Sequence, residues 1–183
     1  MAIEEPKFAV VDKDGRFEVR DYPGRVVAEV NVGGNRNAAS SAGFRLLAGY
    51  IFGGNVGRQS VAMTAPASQT RAGAKIAMTA PVNLSGEPGD WLVQFTMPSE
   101  YSIEDLPTPN DQRVRIRQET PTRLAVLTFS GLTGDRMVSR RTKELLELVR
   151  NRNLEPIGAP ILARYDPPWK PWFARRNEVM IAV

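Results

Sequence analysis

The sequence predicts an α+β fold, on three observations. Several short stretches alternate apolar with less apolar residues at the period of a strand. Two segments carry apolar residues at helical spacing. The order strand, strand, helix, strand, strand occurs once in each half of the chain, which suggests a pseudo-twofold ββαββ repeat. With 183 residues, a single domain spanning 1–183 is long enough to bury about two thirds of the surface that its unfolded chain exposes.

From Gly15 to Val32 the pattern is strand, turn, strand: "RFEVR" turns Phe17 and Val19 inward, "DYPG" reverses the chain, and "RVVAEVNV" continues extended. Gly33 and Gly34 end it, and an Asn-rich opening leads into "AASSAGFRLLAGY". There Phe44, Leu47 and Ala48 are expected to share a face, with "FGGN" as the stop. "NLSGEPGD" reads as a connection and "WLVQFTM" as a half-buried strand. The second half follows with "RVRIRQ", the turn "ETPTR" and "LAVLTFS". Next comes a helix capped by Asp135, with Val138, Thr142, Leu145, Leu146 and Val149 as its apolar stripe. "PILARY" and "NEVMIAV" are the last two strands. Arg113, Arg115 and Arg117 alternate along their strand and so line one solvated face.

The pentapeptide AMTAP occurs twice, at Ala62–Pro66 and Ala77–Pro81. A solenoid would repeat many more times. The first half is also longer than the second by about ten residues after its helix, which is compatible with one extra fifteen-residue AMTAP unit once element boundaries are allowed roughly two to four residues of error at each end. The doubling therefore reads as a strand expanded into a hairpin, with Met63 opposite Met78. Both methionines also read as core fillers.

There are no cysteines and no histidines, which removes disulfides, thiolate metal sites, a cysteine nucleophile and the usual general base. No Gly-rich phosphate loop, H-E-x-x-H site or G-x-S-x-G elbow is present. The N-terminal residues carry acids rather than the positive charge of a secretory signal, and no apolar run approaches the roughly 18 residues of a membrane span. The expectation is a cytoplasmic protein. A net charge of +4, with 19 of the 24 basic residues being Arg, favours anionic partners. Acids interleaved among the bases argue against nucleic acid.

The segments "FGGN", "IAMTAPV", "WLVQFTMPSEYSIEDLPTPND" and "ARYDPPWKPWFARRNEV" resemble the SOUL haem-binding protein family, from about Glu5 to Val183. The resemblance implies a distorted β-barrel of two four-stranded antiparallel sheets flanked by two helices, and kinship with bacterial effector-binding domains. It further implies a haem or other tetrapyrrole held in a hydrophobic groove beside the first helix. Phe44, Arg45, Leu47, Ala48 and Ile51 would line the groove from the helix. Tyr165, Trp169, Lys170, Trp172 and Arg175 would line it from the loop before the last strand, with Met63 and Met78 nearby. Basic side chains would meet the propionates, and Pro167, Pro168 and Pro171 would stiffen the loop. Trp169, Trp172 and Phe173 also read as a plug at one end of the barrel, and Arg176 with Glu178 as a structural ion pair.

Some family members ligate haem iron through histidine. Here an axial ligand would have to be Tyr165 or Tyr50, with the two methionines behind them. Three functions follow: a tetrapyrrole carrier, a small-molecule effector-binding module that accepts a small flat anionic ligand, and an enzyme acting on haem. The last is weakened by the missing histidine.

Overall fold

A computed structural model describes residues 3–56, 73–167 and 169–183. In chain order the described elements are β1 (Ala9–Asp14), β2 (Phe17–Tyr22), β3 (Arg25–Val32), α1 (Arg36–Ile51), β4 (Asn55–Val56), β5 (Val82–Glu87), β6 (Asp90–Thr96) and β7 (Thr108–Pro109). There follow β8 (Arg115–Glu119), β9 (Thr122–Ser130), α2 (Asp135–Arg150), β10 (Ile157–Arg164), a 3-10 turn (Trp172–Ala174) and β11 (Arg176–Ala182). The α+β class holds.

Nine of the described strands form one antiparallel sheet in the order β1-β2-β9-β11-β10-β5-β6-β3-β8, and β4 pairs with β7 separately. The expected two four-stranded sheets are fused, because β10 and β5 share a ladder from Ile161↔Ser85 to Arg164↔Val82. The expected barrel is not closed, since β1 and β8 end the order without meeting. Both edges carry charge, Asp12, Lys13 and Asp14 on one and Arg115, Arg117 and Glu119 on the other, which blunts further pairing.

Period-two alternation divides the sheet's two faces. On one face Phe17, Val19, Ala125, Leu127 and Val179 pack under Val138, Leu145 and Val149 of α2. Beside them Val26, Ala28, Val30, Trp91, Val93 and Phe95 pack under Ala39, Leu47, Tyr50 and Ile51 of α1. Tyr22, Leu124, Val126, Ala163 and Met180 point the other way and form a third cluster with Phe8 and Tyr165, on the face opposite α1 and α2.

Several local expectations are corrected. The buried face of α1 is Ala39, Ser40, Gly43, Leu47, Tyr50 and Ile51, so Phe44 and Ala48 do not share the core with Leu47. Gly43 sets that rotation: a Cβ there would lie 2.6 Å from Val93 Cβ, so only glycine lets the helix approach β6 so closely. Asn35 caps α1, accepting from Ala38 N at 3.0 Å. Asp135 does not cap α2; Gly134 holds that place, and Asp135 instead accepts a hydrogen bond from Arg36 at 2.8 Å. "NLSGEPGD" is mostly β5, which returns into β6 through Pro88–Gly89 with Glu87 opposite Asp90. Exposed β1, AVVDKD, has no core face, and its block of apolar residues followed by charged ones lacks the alternation that would mark a strand.

"FGGN" does more than stop a helix. The buried Asn55 amide donates to Tyr50 O at 2.7 Å and Ala74 O at 2.8 Å, and its oxygen accepts from Ala74 N at 2.9 Å. Ile76 N donates to Ile51 O at 2.8 Å. Because the returning chain bonds to the end of α1, its second AMTAP copy is not the ladder strand expected; within it only Thr79 makes a bridge, parallel to Glu4. The first AMTAP copy, Met63 with its proposed pairing to Met78, and Pro168 lie outside the described residues.

Candidate functional site

The site expected beside α1 combines a helix, the end of β10 and the 165–175 loop. Arg164 shares the parity of Leu162 and so points to the helix face, where its guanidinium donates to Ser40 Oγ of α1 at 3.2 Å. It is half-buried and makes no ion pair among the described residues. Burial, and then the positive charge of Arg175, hold its pKa below the usual arginine range. A second guanidinium therefore stands close to a cation whose only side-chain hydrogen-bond partner among the described residues is a neutral hydroxyl. Sequence reasoning passed over Arg164 because alternation along "PILARY" cannot show which helix lies above it.

The loop is braced by its own polar groups. Lys170 Nζ donates to Asp166 Oδ1 at 2.7 Å, Arg176 N donates to Asp166 Oδ2 at 2.6 Å, and Arg175 Nε donates to Lys170 O at 2.8 Å. Burial raises the Asp166 carboxyl, but the bonds from Lys170 and Arg176 N outweigh it and leave the group below its ordinary value. On this frame Trp169 is 83% exposed, Trp172 58% and Phe173 65%, the last two in an edge-on pair with ring centroids 5.7 Å apart. None of these rings is a member of the three core clusters.

The other expected residues divide. On α1, Arg45 is exposed, and Phe44 is 38% exposed with its ring edge-on to Phe95 at 5.6 Å. Ala48 is half-buried, Leu47 and Ile51 lie in the core, and Met78 packs on that same core from the side. Among the described residues no hydrogen bond, ion pair or ring contact joins Phe44 or Arg45 to Trp169, Lys170 or Trp172.

Tyr165 faces the side of the sheet opposite α1 and α2. Its hydroxyl donates to Glu178 Oε2 at 2.6 Å, and the Arg176 guanidinium lies 3.7 Å from its ring centroid. Glu178 is fully buried and also accepts from both terminal nitrogens of Arg20, at 3.0 and 3.1 Å, and from Arg176 at 3.2 Å. The Arg176–Glu178 ion pair is therefore structural, as the sequence suggested. Burial and the Glu178 carboxylate push the Tyr165 phenol well above its ordinary pKa. Tyr50 is buried, and its hydroxyl donates to Pro107 O at 2.9 Å. Arg113, Arg115 and Arg117 are exposed as expected and engage Asp111, Asn31 and Glu29. No group of three His, Cys, Asp or Glu among the described residues could hold a metal, and no described helix is long and apolar enough to cross a membrane.

The family model described as SOUL heme-binding protein matches residues 3–182. The chain belongs to the SOUL family. No curated protein matches it by sequence. The SOUL chain superposes on the crystal structure of the EcmrR C-terminal domain with a TM-score of 0.66 at 8% identity, covering 91% of this chain and 95% of that one. A crystal structure of a hydrolase from Listeria innocua gives a TM-score of 0.59 at 9% identity, covering 93% of each chain. EcmrR in a cryo-EM complex with DNA gives 0.64 at 8% identity, covering 90% of this chain and 56% of that one. At these identities the likeness establishes only that the SOUL chain shares their fold.

Proposed function

We propose that this chain binds haem or a related tetrapyrrole in the groove beside α1, for transport, buffering or sensing. The observation that carries this reading is Arg164, a half-buried cation with no carboxylate partner among the described residues, crowded by Arg175 and adjoining a loop of exposed tryptophans. A propionate would relieve the crowding and gain charge-assisted hydrogen bonds. Trp169, Trp172 and Phe44 supply flat apolar surface, while Arg45 and Lys170 stand at the rim. Leu47, Ala48, Ile51 and Met78 form the packing beneath. Haem would supply a flat ring and two carboxylates. The two tyrosines considered as axial ligands already donate to Glu178 and to a carbonyl, so the proposed site holds the ring by stacking and ion pairing.

Its membership of the SOUL family supports this reading, and the fold shared with the EcmrR C-terminal domain supports a second: an effector-binding module that accepts flat anions without tetrapyrrole preference. The finer reading of the fold is two ββαββ halves. It is supported by the strand order: exchanging the halves turns β2-β9-β11-β10 into β8-β3-β6-β5, the same order counted from the other edge.

The test is titration of the purified protein with haem, followed by the Soret band and by quenching of tryptophan emission. Micromolar or tighter saturable binding is expected, with Arg45→Ala and Lys170→Ala each weakening it about ten-fold, or about 1.4 kcal/mol. No change in either signal, with binding of other flat anions, would transfer the conclusion to the effector module.

A further inference from the structure

The second AMTAP copy borders a cavity that the groove does not use. Strand β6 ends at Thr96, residues 4–7 cross in front of it, and a cavity of about 240 Å³ lies between them and the 97–102 segment. The crossing strap is tied down at several points. Glu4 bridges Thr79, Ala80 N donates to Glu4 O at 2.9 Å, and Ser99 N donates to Glu4 Oε1 at 3.0 Å.

Thr79 donates its hydroxyl to the carbonyl of Thr96. Thr96 Oγ1 is itself buried, with no hydrogen-bond partner among the described residues, and its residue lines the cavity. A buried hydroxyl without a partner is costly, and native structures usually satisfy such a group. A guest that hydrogen-bonds is therefore favoured here over an apolar one.

The charges around the cavity cancel. Glu4 lies near Lys7, whose charge helps lower its carboxyl after the bonds from Ser99. Glu5 is engaged by Arg176 at 3.0 Å and Arg25 by Glu119 at 2.9 Å. Apart from Glu4 and Lys7, whose charges offset each other, the lining offers a guest uncharged groups: the Thr96 hydroxyl, the Gln118 side-chain amide, whose bond to Glu119 O is a long 3.4 Å, and half-buried Tyr101. Hydroxyl and amide partners beside an aromatic face suit a ligand with many hydroxyls and an exposed C–H face. We propose that this cavity is a second binding site, distinct from the groove, for a small uncharged polyhydroxyl compound such as a sugar or polyol.

The test uses glycerol, myo-inositol and D-glucose as probes, followed on the full chain by calorimetry and by backbone amide shifts. At least one probe should bind saturably and shift amides at 79, 96–102 and 118. Thr96→Val should weaken that binding at least ten-fold while leaving haem titration unchanged. Because the substitution removes an unpartnered hydroxyl, its melting temperature without probe should stay the same or rise. Gln118→Ala, a surface change, should also weaken binding without affecting folding. Absence of shifts at those amides with all three probes would overturn the proposal, as would equal binding by Thr96→Val. A lowered melting temperature of Thr96→Val without probe would also overturn it, by showing that the hydroxyl already has a partner.

Discussion

Arg164 and Tyr165 are neighbours in the chain yet point to opposite faces of the sheet, one towards Ser40 of α1 and the other towards Glu178. Arg164→Gln should therefore weaken free-acid porphyrin about ten-fold, or about 1.4 kcal/mol. A propionate diester should be almost indifferent, which a paired titration checks. Tyr165 makes a separate prediction about pH. Its phenol pKa is raised above the unfolded value, so the folded state holds this proton more tightly than the unfolded chain. The associated stability is complete below about pH 10, the unfolded tyrosine value, and is lost as pH rises above it. Urea midpoints should fall more steeply with pH above 10 in the native protein than in Tyr165→Phe. Equal slopes would mean that the phenol is not held by Glu178. The exposed aromatic loop was legible in "YDPPWKPWF", whereas the side faced by Tyr165 was not. The phase of alternation is fixed by the ladders that join residues 161–164 to Val82–Ser85 and to Asn177–Met180, pairings that local pattern does not show.

At the scale of elements, α1 depends on a residue with no side chain. Gly43→Ala would press a methyl group into Val93 and should destabilise by about 1–3 kcal/mol, the usual cost of overpacking, measured by denaturant midpoint. Both helices and most ladder strands could be read from periodicity. The rotation of α1 could not, because its tightest contact is made by a glycine, which carries no hydrophobic signal. The same limit applies to the AMTAP doubling. Excising 62–76 joins Val61 to Ala77 and leaves one copy in phase, but it moves Arg58 to the place of Gly73. A Cβ there would lie 2.7 Å from Asn55 O and closer still to the Gly53 carbonyl. That excision should lower the melting temperature clearly, whereas replacing 57–72 with a short Gly/Ser link that keeps Gly73 and the Asn55 clip should alter it little. Equal melting of the two variants would show that the clip does not govern the segment.

At the scale of the molecule, the sheet weaves the two halves of the chain together. β2 pairs with β9, β3 with β8 and β5 with β10, so each pairing takes one strand from the first half and one from the second. The sequence suggested the repeat but not the fusion into one open sheet, because the deciding ladder joins Val82–Ser85 to residues 161–164, and local pattern is silent about pairings across such separations. These exchanged strands mean that neither half carries a complete set of neighbours. Fragments divided at Glu104–Asp105 should each lack a cooperative transition alone and regain one when mixed, which circular dichroism would show; a cooperative melt by either fragment would contradict the dependence. The same weave bears on folding speed. Three inter-half ladders cannot form until distant segments have met, so most of the loop-closure entropy is lost before the sheet rewards it. Hairpins such as β5–β6 and β10–β11 can form early, and refolding should then wait on their docking across the middle of the sheet, which makes the β5–β10 seam the expected rate-limiting step rather than either helix.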